Sequence, residues 1–95
     1  MKTLVIATRR PDAPAEAFER LGQLEVQAVW RGIAAGTVRA VHGLVDGPGA
    51  ALELETVTAA EARAYIDTLP FVVENLLDVQ MVPLKPFPPF VALAQ

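Results

Sequence analysis

The sequence predicts an α+β domain of the ferredoxin-like βαββαβ plan, a four-stranded antiparallel sheet with two helices on one face. Short β-rich runs alternate with two segments of helical periodicity. A Gly/Pro connection joins the two middle runs directly, and a proline cluster follows the last one.

The first strand spans Thr3–Thr8 and ends at Arg9-Arg10-Pro11. Asp12-Ala13-Pro14 then supplies a capping residue and a proline suited to a first helical turn. In the helix that follows, the apolar arc takes in Leu24, Ala17, Ala28, Leu21, Phe18, Val29, Ile33 and Val26. Glu16, Glu19, Arg20, Gln23, Gln27 and Arg31 fill the other side. Gly22 and Gly32 lie on the apolar side, where they allow close approach, and Gly36 is the expected stop. Val38–Val45 and Ala50–Val57 form a hairpin around Asp46-Gly47-Pro48-Gly49. Thr58-Ala59-Ala60-Glu61 has capping-box spacing, and Ala62, Tyr65, Ile66 and Leu69 recur at helical intervals before Pro70. The fourth strand runs over Leu76–Leu84, after which Pro86, Pro88 and Pro89 predict an extended tail. Residues 1–85 are thus one domain and 86–95 a Pro/Phe-rich C-terminal tail.

Ninety-five residues make a marginal monomer. Apolar burial supplies about 140 kcal/mol, and ordering the chain costs about the same. Without cysteine no disulfide or thiolate zinc site can staple the core, so a homo-oligomer, a dimer or larger, is expected to cover the free sheet face. A net charge of −3 and scattered cations make nucleic acid an improbable partner. The longest uncharged stretch, Pro86–Gln95, is half a membrane span, so no membrane association is expected. The apolar segment between Lys2 and Arg9 is too short for a secretory signal, which predicts a cytoplasmic protein.

Glu25 is the most informative residue. It lies within the first helix's apolar arc, between Leu21 and Val29 and beside Phe18. A carboxylate there is costly unless it is paired, protonated or lining a cavity. Glu25 is therefore the expected general base, an ordinary ion pair or a rotated helix being the structural alternatives.

His42, the single histidine, lies in the second strand. A four-residue connection pairs Val45 with Ala50, His42 with Glu53 and Ala40 with Glu55. His42, Glu53 and Glu55 then share one face, while Arg39, Val41, Gly43 and Val45 share the helix-covered face with Ala50, Leu52 and Leu54. On this register Glu25 approaches Arg39 above Gly43, and His42 with Glu53 points between paired sheets. Histidine is a residue type suited to proton transfer, although a His opposite a Glu is also an ordinary hydrogen-bonded pair. Asp78 and Gln80 alternate with Leu77, Val79 and Met81, as in a strand that is half exposed or lines a cavity. Arg9 and Arg10 either anchor an anion or form a solvated turn, and Trp30 falls outside the arc. The expected set is Glu25 and His42 for proton transfer, with Arg39, Glu53 and Asp78 binding a small-molecule ligand. With one histidine, no cysteine, no serine and no glycine-rich phosphate loop, neither a metal nor an organic cofactor is expected.

The stretch LPFVVENLLDVQMVPLKPFPPF, Leu69 to Phe90, resembles the Leu-Pro, hydrophobic, Asp-Val/Ile, Pro-Leu ending of the muconolactone isomerase family. Glu25 and the later Gly36 match that family's helix-1 glutamate and the glycine before its second strand. The resemblance implies a dimeric α+β barrel, in which two ferredoxin-like subunits pair their sheets. It also implies cofactor-independent proton transfer in a small unsaturated lactone. With Glu25 it gives the leading expectation: an isomerase or related lyase acting on a small lactone or unsaturated carboxylate, His42 or Arg39 stabilising the developing charge. A non-catalytic dimeric ligand-binding or scaffold protein of the same fold is the alternative. Cofactor-free oxygenation of a polycyclic phenol ranks third, because Trp30 and Tyr65 are the only polar-edged aromatics.

Overall fold

The computed structural model describes residues 1–94. Its elements are β1 (Lys2–Arg9), α1 (Ala15–Ala34), β2 (Val38–Gly43), β3 (Gly49–Glu55), α2 (Ala59–Ile66), α3 (Pro70–Val73), β4 (Leu77–Pro83) and α4 (Pro88–Leu93). The strands form one antiparallel sheet in the order β2-β3-β1-β4, the expected ferredoxin-like α+β fold. No described helix is long and apolar enough to cross a membrane.

Alternation along the strands divides the sheet into two faces. Val5, Leu52, Leu54 and Val38 point toward the helices and pack against Ala28, Ala62, Ile66 and Leu69. A smaller cluster of Ala17, Phe18, Leu21 and Leu76 closes one end of this layer. Along β1, Lys2, Leu4, Ile6 and Thr8 alternate with the core residues and lie on the opposite face, which no helix covers.

Helix α1 begins at Ala15 with Pro14 in the cap position and no side-chain cap. Asp12, read as a capping residue, instead lies 3.5 Å from Arg10. Gly36, at φ +82°, ends the helix as expected. The buried arc of α1 is narrower than its apolar residues suggested, since Leu24, Val26 and Ile33 are exposed; Trp30, placed outside the arc, is exposed at 66%. Helix α2 starts where its capping box predicts and ends at Ile66, short of the expected stop at Pro70. The Thr58 hydroxyl accepts from the Glu61 N–H at 3.2 Å, and the Glu61 carboxylate accepts from the Val57 N–H at 3.1 Å.

The C-terminal segment corrects the expectation of an extended tail, since residues Pro88–Leu93 are helical. Its prolines sit in the first turn, where a missing N–H removes no helical hydrogen bond.

Gly32 is the close-approach glycine of α1. A Cβ there would lie 2.7 Å from both Tyr65 Cζ and Val38 Cγ2 and would overlap the Tyr65 hydroxyl. That hydroxyl donates to the Ala28 carbonyl at 3.1 Å, so the ring cannot retreat without losing its partner. Overpacking of this kind costs about 1–3 kcal/mol, against which alanine regains about 1 kcal/mol of helix propensity. Gly32→Ala is therefore expected to lower the urea midpoint with an unchanged denaturant slope. A raised midpoint would mean that Tyr65 yields freely.

Candidate functional site

The helix layer and the sheet enclose a cavity of about 220 Å³ at the end of the sheet where β1 finishes and β3 and β4 begin. Its interior is apolar: Val5 and Ala7 come from β1, Ala50 and Leu52 from β3, and Leu77 and Val79 from β4. Val29, Ile66, Leu69, Phe71 and Val72 roof it. Two charged residues line it, Glu25 from α1 and Arg9 from the end of β1.

Glu25 is half-buried, and its Oε1 accepts a hydrogen bond from the Phe71 backbone N–H at 3.0 Å. That amide belongs to the first turn of α3, where an N–H has no helical partner and Pro70 before it has none to offer. Among the described residues no cation is within ion-pair distance of Glu25. Burial raises its carboxyl above the ordinary value of 4.5, and the Phe71 hydrogen bond opposes that rise. Tyr65 lies close enough to register this charge: burial and then the Glu25 carboxylate raise its hydroxyl, while Arg31 opposes them.

Arg9 shares the helix-facing side of β1 with Val5 and Ala7, and it pairs with Leu77 across the sheet. Its guanidinium lies 4.1 Å from the centroid of the Phe18 ring. Phe18 in turn meets Phe71 edge to face, with centroids 5.1 Å apart. A continuous chain of contacts thus runs from Arg9 through Phe18 and Phe71 to Glu25.

The other expected site residues lie elsewhere. β2 and β3 pair two residues away from the predicted register: His42 faces Ala51, and Ala40 faces Glu53. The connection is longer than four residues because Gly43 and Ala50 are the last to pair. A slip of two keeps every side chain on its face, so His42 and Glu53 remain together on the open side but are not directly opposed. His42 is exposed, and Glu53 accepts from Lys2 at 3.1 Å. Arg39 is a correction of face as well as register. An irregularity between Val38 and Ala40 turns Val38 into the core, while Arg39 is exposed and donates to the Gly36 carbonyl at 2.7 Å. Asp78 pairs with Thr8 on the open face and lies 3.4 Å from Arg10. Of the expected set, only Glu25 lines the cavity. Among the described residues no three His, Asp or Glu side chains cluster in a way that could hold a metal ion.

The cavity wall brings two groups beside Glu25 that were not in the expected set. The Phe71 amide is a backbone group positioned by α3, whose sequence signal is the Leu69-Pro70 start followed by an apolar run. Arg9 was readable as the next member of the Thr3, Val5, Ala7 alternation.

No protein-family model and no curated protein matches the chain. Among solved structures, it is similar to 5-chloro-2-hydroxyhydroquinone dehydrochlorinase from Burkholderia phenoliruptrix, in complex with 2,5-dihydroxybenzoquinone. The TM-score is 0.74 at 15% identity, covering 90% of this chain and 94% of the other. At that identity the likeness shows a shared ferredoxin-like α+β fold and nothing finer.

Proposed function

We propose that this protein is a small cofactor-independent acid/base enzyme, a muconolactone isomerase-like isomerase or related lyase acting on a small lactone or unsaturated carboxylate. The observation that carries this reading is a carboxylate without an ion-pair partner in the wall of an apolar cavity. Burial raises its proton affinity above that of an ordinary carboxylate, the direction that makes it a stronger base. Glu25 removes a proton from the carbon next to a carbonyl, and the released electron pair moves into a conjugated enolate. Returning the proton to the far carbon completes a double-bond shift; expelling a leaving group from the same enolate gives the lyase outcome. The dehydrochlorinase name of the structural neighbour favours keeping that second outcome in view.

The cavity also bears on substrate size. A cavity of about 150 Å³ is enough for benzene, so about 220 Å³ suits one substituted ring rather than a polycyclic phenol. His42 and Arg39 cannot serve Glu25 within one protomer, since His42 lies across the sheet and Arg39 is turned outward. We further propose that two or more copies assemble through the uncovered sheet face.

A solvent-deuterium exchange screen of small lactones and unsaturated acids, read by NMR, tests the enzymatic reading. Enzyme-dependent label at a carbon next to a carbonyl is the expected result. Tight binding without exchange would replace the enzyme with the ligand-binding alternative.

A further inference from the structure

Arg9 and Glu25 are the two charges of the cavity wall, and they are held in different ways. Arg10, Arg20, Arg63 and Lys2 each meet a carboxylate, at 3.0–3.5 Å. Arg9 has no such partner among the described residues; its guanidinium rests on the Phe18 ring. The ring contact occupies one side of the guanidinium and leaves its N–H groups available to a planar acceptor. Phe18 is itself buried and locked against Phe71, so the support beneath Arg9 is rigid. The remaining wall is nearly all apolar and provides no second cation.

We infer that Arg9 is an anion-binding residue and that the cavity takes a single-ring or similarly sized planar anion, its charged oxygens on the guanidinium and its apolar body beneath α1. Arg9 and Glu25 do not pair with each other, so a bound molecule can reach both, anchored at one and deprotonated at the other. This deepens the acid/base reading and rests on it for the second contact alone. Arg9 is the specificity residue, and Phe18 positions it.

Calorimetric titration with benzoate and its neutral isostere benzamide tests the inference without requiring turnover. Hydrogen bonds to a charged group justify a benzoate preference of about tenfold or more in the wild type. Arg9→Gln is expected to bring benzoate down to the benzamide affinity while leaving benzamide unchanged. Arg9→Lys, which keeps the charge but loses the planar guanidinium, is expected to fall between them. Equal binding of the two probes, absence of benzoate binding, or an unchanged preference in Arg9→Gln would each overturn the assignment. The same titration of Glu25→Gln separates the two readings, because the benzoate preference should survive there. A preserved preference in a protein that exchanges no deuterium would retain the anion site and remove the proton-transfer role.

Discussion

Glu25→Gln is expected to lose nearly all proton-exchange activity while melting higher than the wild type at neutral pH. Removing a positioned base typically costs about 10²–10⁴-fold in rate. Stability should move the other way for a reason visible in the wall of the cavity. The Gln amide oxygen can still accept from the Phe71 N–H, so the one hydrogen bond of the site is preserved. What disappears is a half-buried negative charge with no cation beside it. The pH dependence follows from the direction of the shift. Because the folded protein holds the Glu25 proton more tightly than the unfolded chain, its contribution to stability is complete below the ordinary value of 4.5. That contribution is lost as pH rises through the raised folded value. Wild type and variant should therefore melt together near pH 4 and separate as pH increases, at fixed protein concentration. The wild-type rate should show an acid limb centred above the usual carboxylate range. A variant that keeps its activity removes Glu25 from the mechanism. One that melts well below the wild type at every pH means that the Glu25 carboxyl stabilises the fold and overturns the expected gain.

The placement of Glu25 was legible because helical periodicity relates it to Phe18, Leu21 and Val29 without knowledge of the rest of the chain. The faces of β3 were legible for the equivalent reason, a period of two. Register in the β2–β3 hairpin was not, since Asp46-Gly47-Pro48-Gly49 signals a turn without fixing how many flanking residues join it. Arg39 was misplaced by an irregularity that changes the phase of the strand and has no composition of its own. Pro88 and Pro89 were read only as helix breakers, whereas in a first turn they are compatible with the helix that forms. The sequence therefore located the cavity carboxylate and put His42 and Glu53 on the sheet's other face, while the fold was needed to show that Asp78 shares that face and that Arg9 faces the cavity.

If copies pair through the uncovered sheet face as proposed, Ile6→Glu is expected to leave a monomer of 10.2 kDa with markedly reduced stability. Ile6 sits on β1, one of the two central strands, opposite Ala51 on β3 and Gln80 on β4. With Leu4 and Val82 it gives the uncovered face an apolar middle, while Lys2, Glu53 and Asp78 lie around it. A folded monomer of this mass should expose about 5,300 Å², whereas this chain exposes 6305 Å². Its radius of gyration, 14.9 Å, likewise exceeds the roughly 12 Å of a compact chain of this length. Part of the excess lies in α4, where Phe87 and Phe90 pack on each other but remain largely exposed, while Leu4, Ile6 and Val82 on the sheet face are half-buried. Pairing the bare faces of two copies would bury the apolar middle and form the dimeric barrel; a glutamate at position 6 would bring a desolvated charge into each half of that interface. Light scattering over a range of concentrations should give the wild type at least twice the monomer mass and the variant the monomer mass, with a lower melting temperature. A wild type that remains monomeric would rule out sheet pairing, and an assembly that survives Ile6→Glu would move the interface to another surface.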